Sequence, residues 1–125
     1  MNDNKMSLLI VDDSKISRKL LIEVVPEIFK KNMDIIEASS GLSALEIYQQ
    51  QKADIVFLDI TMPEMDGFEV LAKLLEIDKK ATVIMISADA QVSTKVKVLH
   101  LGAKNILMKP VNSDDLRKVL FELMQ

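Results

Sequence analysis

The chain has 125 residues, of which 49% are hydrophobic and 28% charged, and its formal net charge is −3. That balance belongs to a folded globular domain with enough apolar mass to bury a core without staples. Cysteine is absent, which excludes disulfides and thiolate metal sites, and no block of lysine and arginine marks a broad nucleic-acid footprint.

Met1 to Lys5 are polar and lead straight into an apolar run, without the long apolar segment of a signal peptide or membrane span. A cytoplasmic protein with no membrane insertion is expected, folded as one domain over residues 1–125 with its core from about 7 to 124. The first strand is predicted at residues 8–11. Ser14 is a good N-cap for a helix whose apolar positions Ile16, Leu20, Val24 and Ile28 recur four apart. Pro26 falls inside that stripe and removes a backbone hydrogen bond; because the spacing continues through Ile28, a kink is expected rather than a stop. A strand at 35–38 is followed by a second helix carrying Leu42, Leu45 and Tyr48. A strand at 55–58 precedes a third helix with Phe68, Leu71 and Leu75. A strand at 83–86 precedes a fourth with Val92, Val96 and Leu99, closed by Gly102 in the left-handed conformation that glycine reaches cheaply. The last strand, 105–108, leads to a fifth helix with Leu116, Leu120 and Leu123, opened by Asn112 and by Asp115 in a capping-box arrangement. Strands one, three and four are apolar almost throughout, so both of their faces are covered, as in a parallel sheet. Strict alternation with right-handed crossovers then gives an α/β fold, a doubly wound five-stranded parallel sheet flanked by five helices.

In such a sheet ligands bind beyond the carboxyl ends of the strands. Strand one ends in Asp12-Asp13, strand three in Asp59, strand four in Ser87 and strand five in Lys109-Pro110. Each has an ordinary explanation alone: a cap, a turn, a solvated lysine. Their convergence on one rim is harder to explain so. Three clustered carboxylates repel unless a cation joins them, and oxygen ligands with open water positions suit Mg²⁺, or Mn²⁺. A carboxylate flanked by metal and ammonium is equipped to act as a nucleophile and form an aspartyl phosphate, with metal and lysine neutralising the phosphoryl oxygens.

Several motifs in this order resemble those of the response-regulator receiver domain over nearly the whole chain. They are Leu9-Ile10-Val11-Asp12-Asp13-Ser14 with Arg18; Ser39-Ser40-Gly41 with Ala44-Leu45; Leu58-Asp59 through Asp66-Gly67; Ile86-Ser87-Ala88; Gly102-Ala103; and Leu107-Met108-Lys109-Pro110. The resemblance implies a flavodoxin-like strand order 2-1-3-4-5. It implies that Asp59 is the phosphoacceptor and that Asp13, Asp59 and the Thr61 backbone carbonyl ligate Mg²⁺, while Asp12 holds a metal-bound water. Ser87 and Lys109 would bind phosphoryl oxygens, and Lys109-Pro110 would be a cis peptide. The donor would be a histidine kinase, a histidine phosphotransfer protein or a small acyl phosphate. A downstream target protein and a phosphatase complete the expected partners. A monomer that catalyses only its own phosphorylation and dephosphorylation is expected, altering partner binding through the fourth helix, fifth strand and fifth helix, in chemotaxis or motility signalling.

The chain departs from the family at Ile106, where receivers usually carry Tyr or Phe. A stiff β-branched side chain cannot copy a swinging ring. Output then rests on residues 87–91 and the fourth helix, or Ile106 is core filling and the switch is weak. Ala88 is small and leaves the acceptor open. Thr61 and Asp89 stand where side chains orient or hinder attacking water; Asp89 either faces the site or caps the fourth helix. His100, the one histidine, suits a helix C-terminus at the surface. The eight methionines fill gaps in core or loops, with Met62 and Met65 in the acceptor loop. Other readings are a phosphorelay intermediate, a phosphate sink, a receiver cut from a larger regulator, or an adaptor independent of phosphate. A haloacid-dehalogenase-like phosphohydrolase would need a second aspartate two positions after the nucleophile, where Thr61 stands.

Overall fold

The computed structural model describes residues 5–89 and 91–125. Met1 to Asn4, in the polar N-terminus, and Ala90, in the loop expected to carry output, lie outside the described residues. The elements run β1 (Met6–Val11), α1 (Lys15–Val24), α2 (Glu27–Lys30), β2 (Met33–Ala38), α3 (Gly41–Gln50), β3 (Ile55–Asp59), α4 (Gly67–Ile77), β4 (Val83–Ser87), α5 (Val92–His100), β5 (Asn105–Met108) and α6 (Ser113–Leu123). The five strands are parallel in the order β2-β1-β3-β4-β5.

Two of the three inner strands, β3 and β4, are buried along their whole length, as their apolar composition requires. Alternate residues serve opposite faces. Leu9, Val11, Val56, Leu58 and Met85 pack with Ala44, Leu45, Tyr48, Leu71 and Val98 of α3, α4 and α5. Leu8, Ile10, Phe57 and Ile86 pack with Leu21, Phe29, Leu116 and Leu120 on the other side. Burying each such side chain contributes roughly 1.5–3 kcal/mol, so two continuous layers hold the sheet between the helices.

Pro26 ends the first helix instead of kinking it. Val25, immediately before the proline, is extended (φ −66°, ψ 122°) because the proline ring disfavours helical geometry in the preceding residue. The Pro26 carbonyl then accepts from Phe29 and Lys30, both at 3.0 Å, starting the short α2. Six helices among the described residues therefore flank the sheet, and the fourth and fifth predicted helices are α5 and α6.

The apolar stripe also differs from expectation. Ile16 and Leu20 are 72% and 57% exposed and Ile28 is 69% exposed, while Leu21, Val25 and Phe29 enter the core. Val92, Val96 and Leu99 of α5 likewise face outward and Val98 faces in; Leu42 is exposed beside buried Leu45 and Tyr48. The stripes of α4 and α6 fall as expected at Leu71, Leu116 and Leu120. The caps agree too: Ser14 Oγ accepts from Ser17 N (3.2 Å), and Asn112 Oδ1 accepts from Asp115 N (2.8 Å). Gly102 has φ +111° and closes α5.

Candidate metal and phosphoryl site

Because β1 pairs with both β2 and β3, the strand order reverses there, and a crevice opens beyond the strand ends. Asp12 and Asp13 follow β1, and Asp59 is the last residue of β3. One carboxylate oxygen from each of the three lies within 4.8 Å of the others, with Asp12 and Asp59 buried and Asp13 exposed.

Lys109, from the end of β5, reaches across β4 into this cluster. Its Nζ lies 2.9 Å from Asp12 Oδ2 and 3.2 Å from Asp59 Oδ1. The backbone brings it there: Lys109 N donates to Ser87 O at 2.8 Å, continuing the β4–β5 ladder past the last paired residues. The Lys109–Pro110 peptide is cis. Burial alone would lower the Lys109 ammonium, but the hydrogen bond to Asp12 and the charge of Asp59 more than offset it, so the group is held above its ordinary value. Burial pushes the Asp59 carboxyl up, and Asp12 and then Asp13 add to the rise, while Lys109 opposes it. The cluster thus retains excess negative charge, which one ammonium does not neutralise. An all-oxygen, partly exposed donor set of this kind fits a hard divalent cation that keeps some of its waters.

Two further groups brace Asp12. Ser14 N donates to Asp12 Oδ1 at 2.9 Å, and Arg18 Nη1 donates to the Asp12 carbonyl at 2.7 Å while its Nε holds Glu37 Oε1 at 2.8 Å. Arg18 was legible only as part of a motif. A cation one turn into the helix that follows an acidic strand end was the available clue. Gly67 is the other residue whose part was not read. It packs directly on the end of β3, where an added Cβ would strike Asp59 O and come 2.6 Å from Ile60 Cα.

A matching family model, that of the response regulator receiver domain, covers residues 8–121. The chain belongs to this family. Its receiver is 40% identical to the chemotaxis protein CheY of Listeria monocytogenes over 116 residues, covering 92% of this chain and 95% of that protein. It is 37% identical to CheY of Bacillus subtilis over 108 residues, 86% of this chain and 88% of the other. Among solved structures, the CheX–CheY–BeF3–Mg²⁺ complex from Borrelia burgdorferi superposes with a TM-score of 0.86 at 35% identity, covering 96% of this chain and 90% of that one.

Around the receiver's acidic cluster, Ser87 is buried at the end of β4, and its Oγ accepts from Asp89 N at 2.9 Å. The Asp89 side chain is spent on the start of α5: Oδ1 accepts from Gln91 N at 3.0 Å and Oδ2 from Thr94 Oγ1 at 2.7 Å. The Thr94 hydrogen bond, then that from Gln91, holds its carboxyl below the ordinary range. The N-cap of α5 is Gln91, which makes no side-chain cap hydrogen bond, so Asp89 braces the start of that helix from two residues ahead of the cap. Ala88 and Pro110 are exposed at the rim, and Thr61 is exposed in the loop after β3. Ile106 is half-buried against the α3–α4–α5 core layer, and His100 is exposed at the end of α5. Among the described residues, no helix is long and apolar enough to cross a membrane.

Proposed function

We propose that this receiver is a phosphoacceptor switch in which Asp59 takes a phosphoryl group from a phosphohistidine on a histidine kinase or phosphotransfer protein, or from an acyl phosphate. The observation that carries the reading is the placement of Lys109 Nζ within 3.2 Å of Asp59 in a cluster of three carboxylates. The Asp59 carboxylate attacks phosphorus, and the donor nitrogen or oxygen leaves with its bonding pair. Lys109, already charged and close, shifts from the carboxylates toward the incoming phosphoryl oxygens. Ser87 Oγ accepts from Asp89 N at 2.9 Å, and its own hydrogen makes only a long 3.5 Å contact with Asp89 O, which it can exchange for a phosphoryl oxygen. Asp12, Asp13, Asp59 and the Thr61 carbonyl would hold Mg²⁺, which supplies positive charge opposite the lysine. Ala88, small and exposed, leaves the acceptor accessible.

The output reading follows from α5. Ser87 Oγ, Asp89 and Thr94 form two consecutive hydrogen bonds from the site to the first turn of that helix. A Ser87 drawn toward a phosphoryl group would pull on this chain, so α5 can respond although Ile106 replaces the usual aromatic. Exposed Val92 and Val96 on α5 and Met108 on β5 give the α5–β5–α6 face an apolar surface for a target protein. Likeness to chemotaxis CheY proteins supports a role in chemotaxis or motility signalling, with the chain working in the cytoplasm as one unit.

Intact mass spectrometry after incubation with acetyl phosphate and Mg²⁺ tests the acceptor assignment. The wild type should gain one phosphoryl mass and Asp59→Asn none. Equal labelling of the Asn variant would remove Asp59 from the role.

A further inference from the structure

A cavity of about 450 Å³ adjoins the acceptor on the α1 side of the sheet. Its floor is Ile10, Phe57 and Ile86; α1 and the Lys109–Pro110–Val111 segment form its walls. Its polar groups are unevenly placed. Asp12, Asp59, Lys109 and Ser17 lie toward the acceptor, whereas Leu20, Leu21, Val24 and Val111 make the remainder almost wholly apolar. Glu23 stands on the wall beside Val24 and is exposed. The size is that of a small-molecule site, and the lining has its usual composition of apolar walls with a few convergent polar groups.

A ligand for this cavity must match both ends. The acceptor end offers Lys109 as its cation and Asp59 as the nucleophile, which suits a phosphoryl group. The other end has no donor to satisfy a polar tail, and Glu23 repels a second anion. We infer that the cavity is a subsite for the acyl chain of a small phosphodonor, an acyl phosphate whose acyl group is a short uncharged hydrocarbon. This rests on the acceptor reading of Asp59 and adds a place for the acyl chain of such a donor. In the transfer an Asp59 oxygen bonds to phosphorus and the bond from phosphorus to the bridging acyl oxygen breaks. The electron pair leaves on the free carboxylate, and no proton or further reactant is needed.

Acetate and butyrate are leaving groups of nearly equal basicity, so a rate difference between their phosphates reports binding of the tail. With two more methylenes buried, each giving roughly fourfold, butyryl phosphate should label the protein about fifteenfold faster than acetyl phosphate at equal subsaturating concentration with Mg²⁺. Val24→Trp, which fills the cavity away from the carboxylates, should bring that ratio close to one. Methyl NMR of the wild type gives a second readout that needs neither turnover nor the variant. Butylphosphonate should shift Leu21, Val24 and Val111 methyl signals, and methylphosphonate should leave them in place. A butyryl-to-acetyl ratio within about twofold, with those methyls unmoved, overturns the subsite and leaves the cavity to a side chain of a donor protein. If neither donor labels Asp59 the acceptor reading fails, and the phosphonate titration alone decides whether the cavity takes an apolar tail.

Discussion

Thr94 donates its hydroxyl hydrogen to Asp89 Oδ2 across 2.7 Å. The Asp89 N–H in turn reaches Ser87 Oγ at 2.9 Å, so the end of β4 and the first turn of α5 are joined through one residue. Lys97 adds a second tie from α5, lying 4.0 Å over the Phe68 ring of α4.

Thr94→Val keeps the shape of the side chain and removes the donor. Phosphorylation of Asp59 by acetyl phosphate should proceed at the wild-type rate, because Thr94 touches none of the reacting groups. The ratio of target affinities with and without the phosphoryl group should fall about three- to tenfold, within the usual range of coupling between sites. Calorimetric titration of target peptide or protein into both forms measures it. An unchanged ratio would mean that the hydrogen-bonded chain carries no signal.

Asp59→Asn removes one of three crowded carboxylates and keeps the shape. In metal-free buffer the variant should be more stable than wild type by about 1 kcal/mol, since burial and the neighbouring aspartates both disfavour the charged acid. The sign with pH follows from the raised folded value. A carboxyl that binds its proton more tightly when folded costs stability at neutral pH, and the cost fades as pH falls through the folded value toward 3.8. Urea titrations from pH 7 to 4 should therefore show the gap between the two proteins closing. Millimolar Mg²⁺ should stabilise wild type and have less effect on the variant. A variant less stable at neutral pH without metal would contradict the electrostatic account.

The parts of this molecule that strand ends determine were legible in the sequence, and the parts that helix rotation determines were not. Asp12, Asp59, Ser87 and Lys109 each close or follow an apolar run, and parallel strands must end on one rim, so their meeting follows from order alone. In α1 two interleaved sets are apolar, Ile16-Leu20-Val24 and Leu21-Val25, and a period of four fits both equally. Only packing on the sheet selects Leu21 and Val25 for the interior. Pro26 was read as a kink because Ile28 continued the wrong set. Phe29, which packs edge-on against Phe121 at 5.3 Å, shows how the chain restarts after the break. Val98 was missed in α5 for the same reason as Leu21. The partners of Asp89 lie in the next helix and depend on loop geometry that residue type does not specify.

Gly67 opens α4 with its N–H donated to Ile60 O at 2.7 Å. Backbone, not a movable side chain, occupies the space where a Cβ would sit. Gly67→Ala must push α4 away from β3 and should cost about 2 kcal/mol or more. It should also slow Asp59 labelling, because the displaced backbone is that of Asp59 and Ile60. Urea unfolding and the acetyl phosphate assay read the two effects separately. Wild-type stability in this variant would show that α4 can give way freely.

Tyr48, buried in α3, donates to Asp78 Oδ2 at 2.8 Å, and Asp78 Oδ1 accepts from Lys80 N at 3.0 Å in the turn after α4. Burial raises the phenol well above its ordinary value, and the hydrogen bond to Asp78 adds to the rise. The same bond is the largest cause holding the Asp78 carboxyl below 3.8, ahead of the Lys80 N–H. A depressed folded value means stability that is present above about pH 4 and is lost as pH falls through the folded value. Tyr48→Phe keeps the ring in the core and deletes the donor, so it should lower the unfolding midpoint at pH 7. Toward pH 2, as Asp78 takes up its proton, the difference should shrink, because a neutral acid gains less from the phenol than a carboxylate does. Parallel thermal unfolding at the two pH values tests this. A Tyr48→Phe penalty that stays constant between them would assign the stabilisation to packing of the ring rather than to its charge-assisted hydrogen bond.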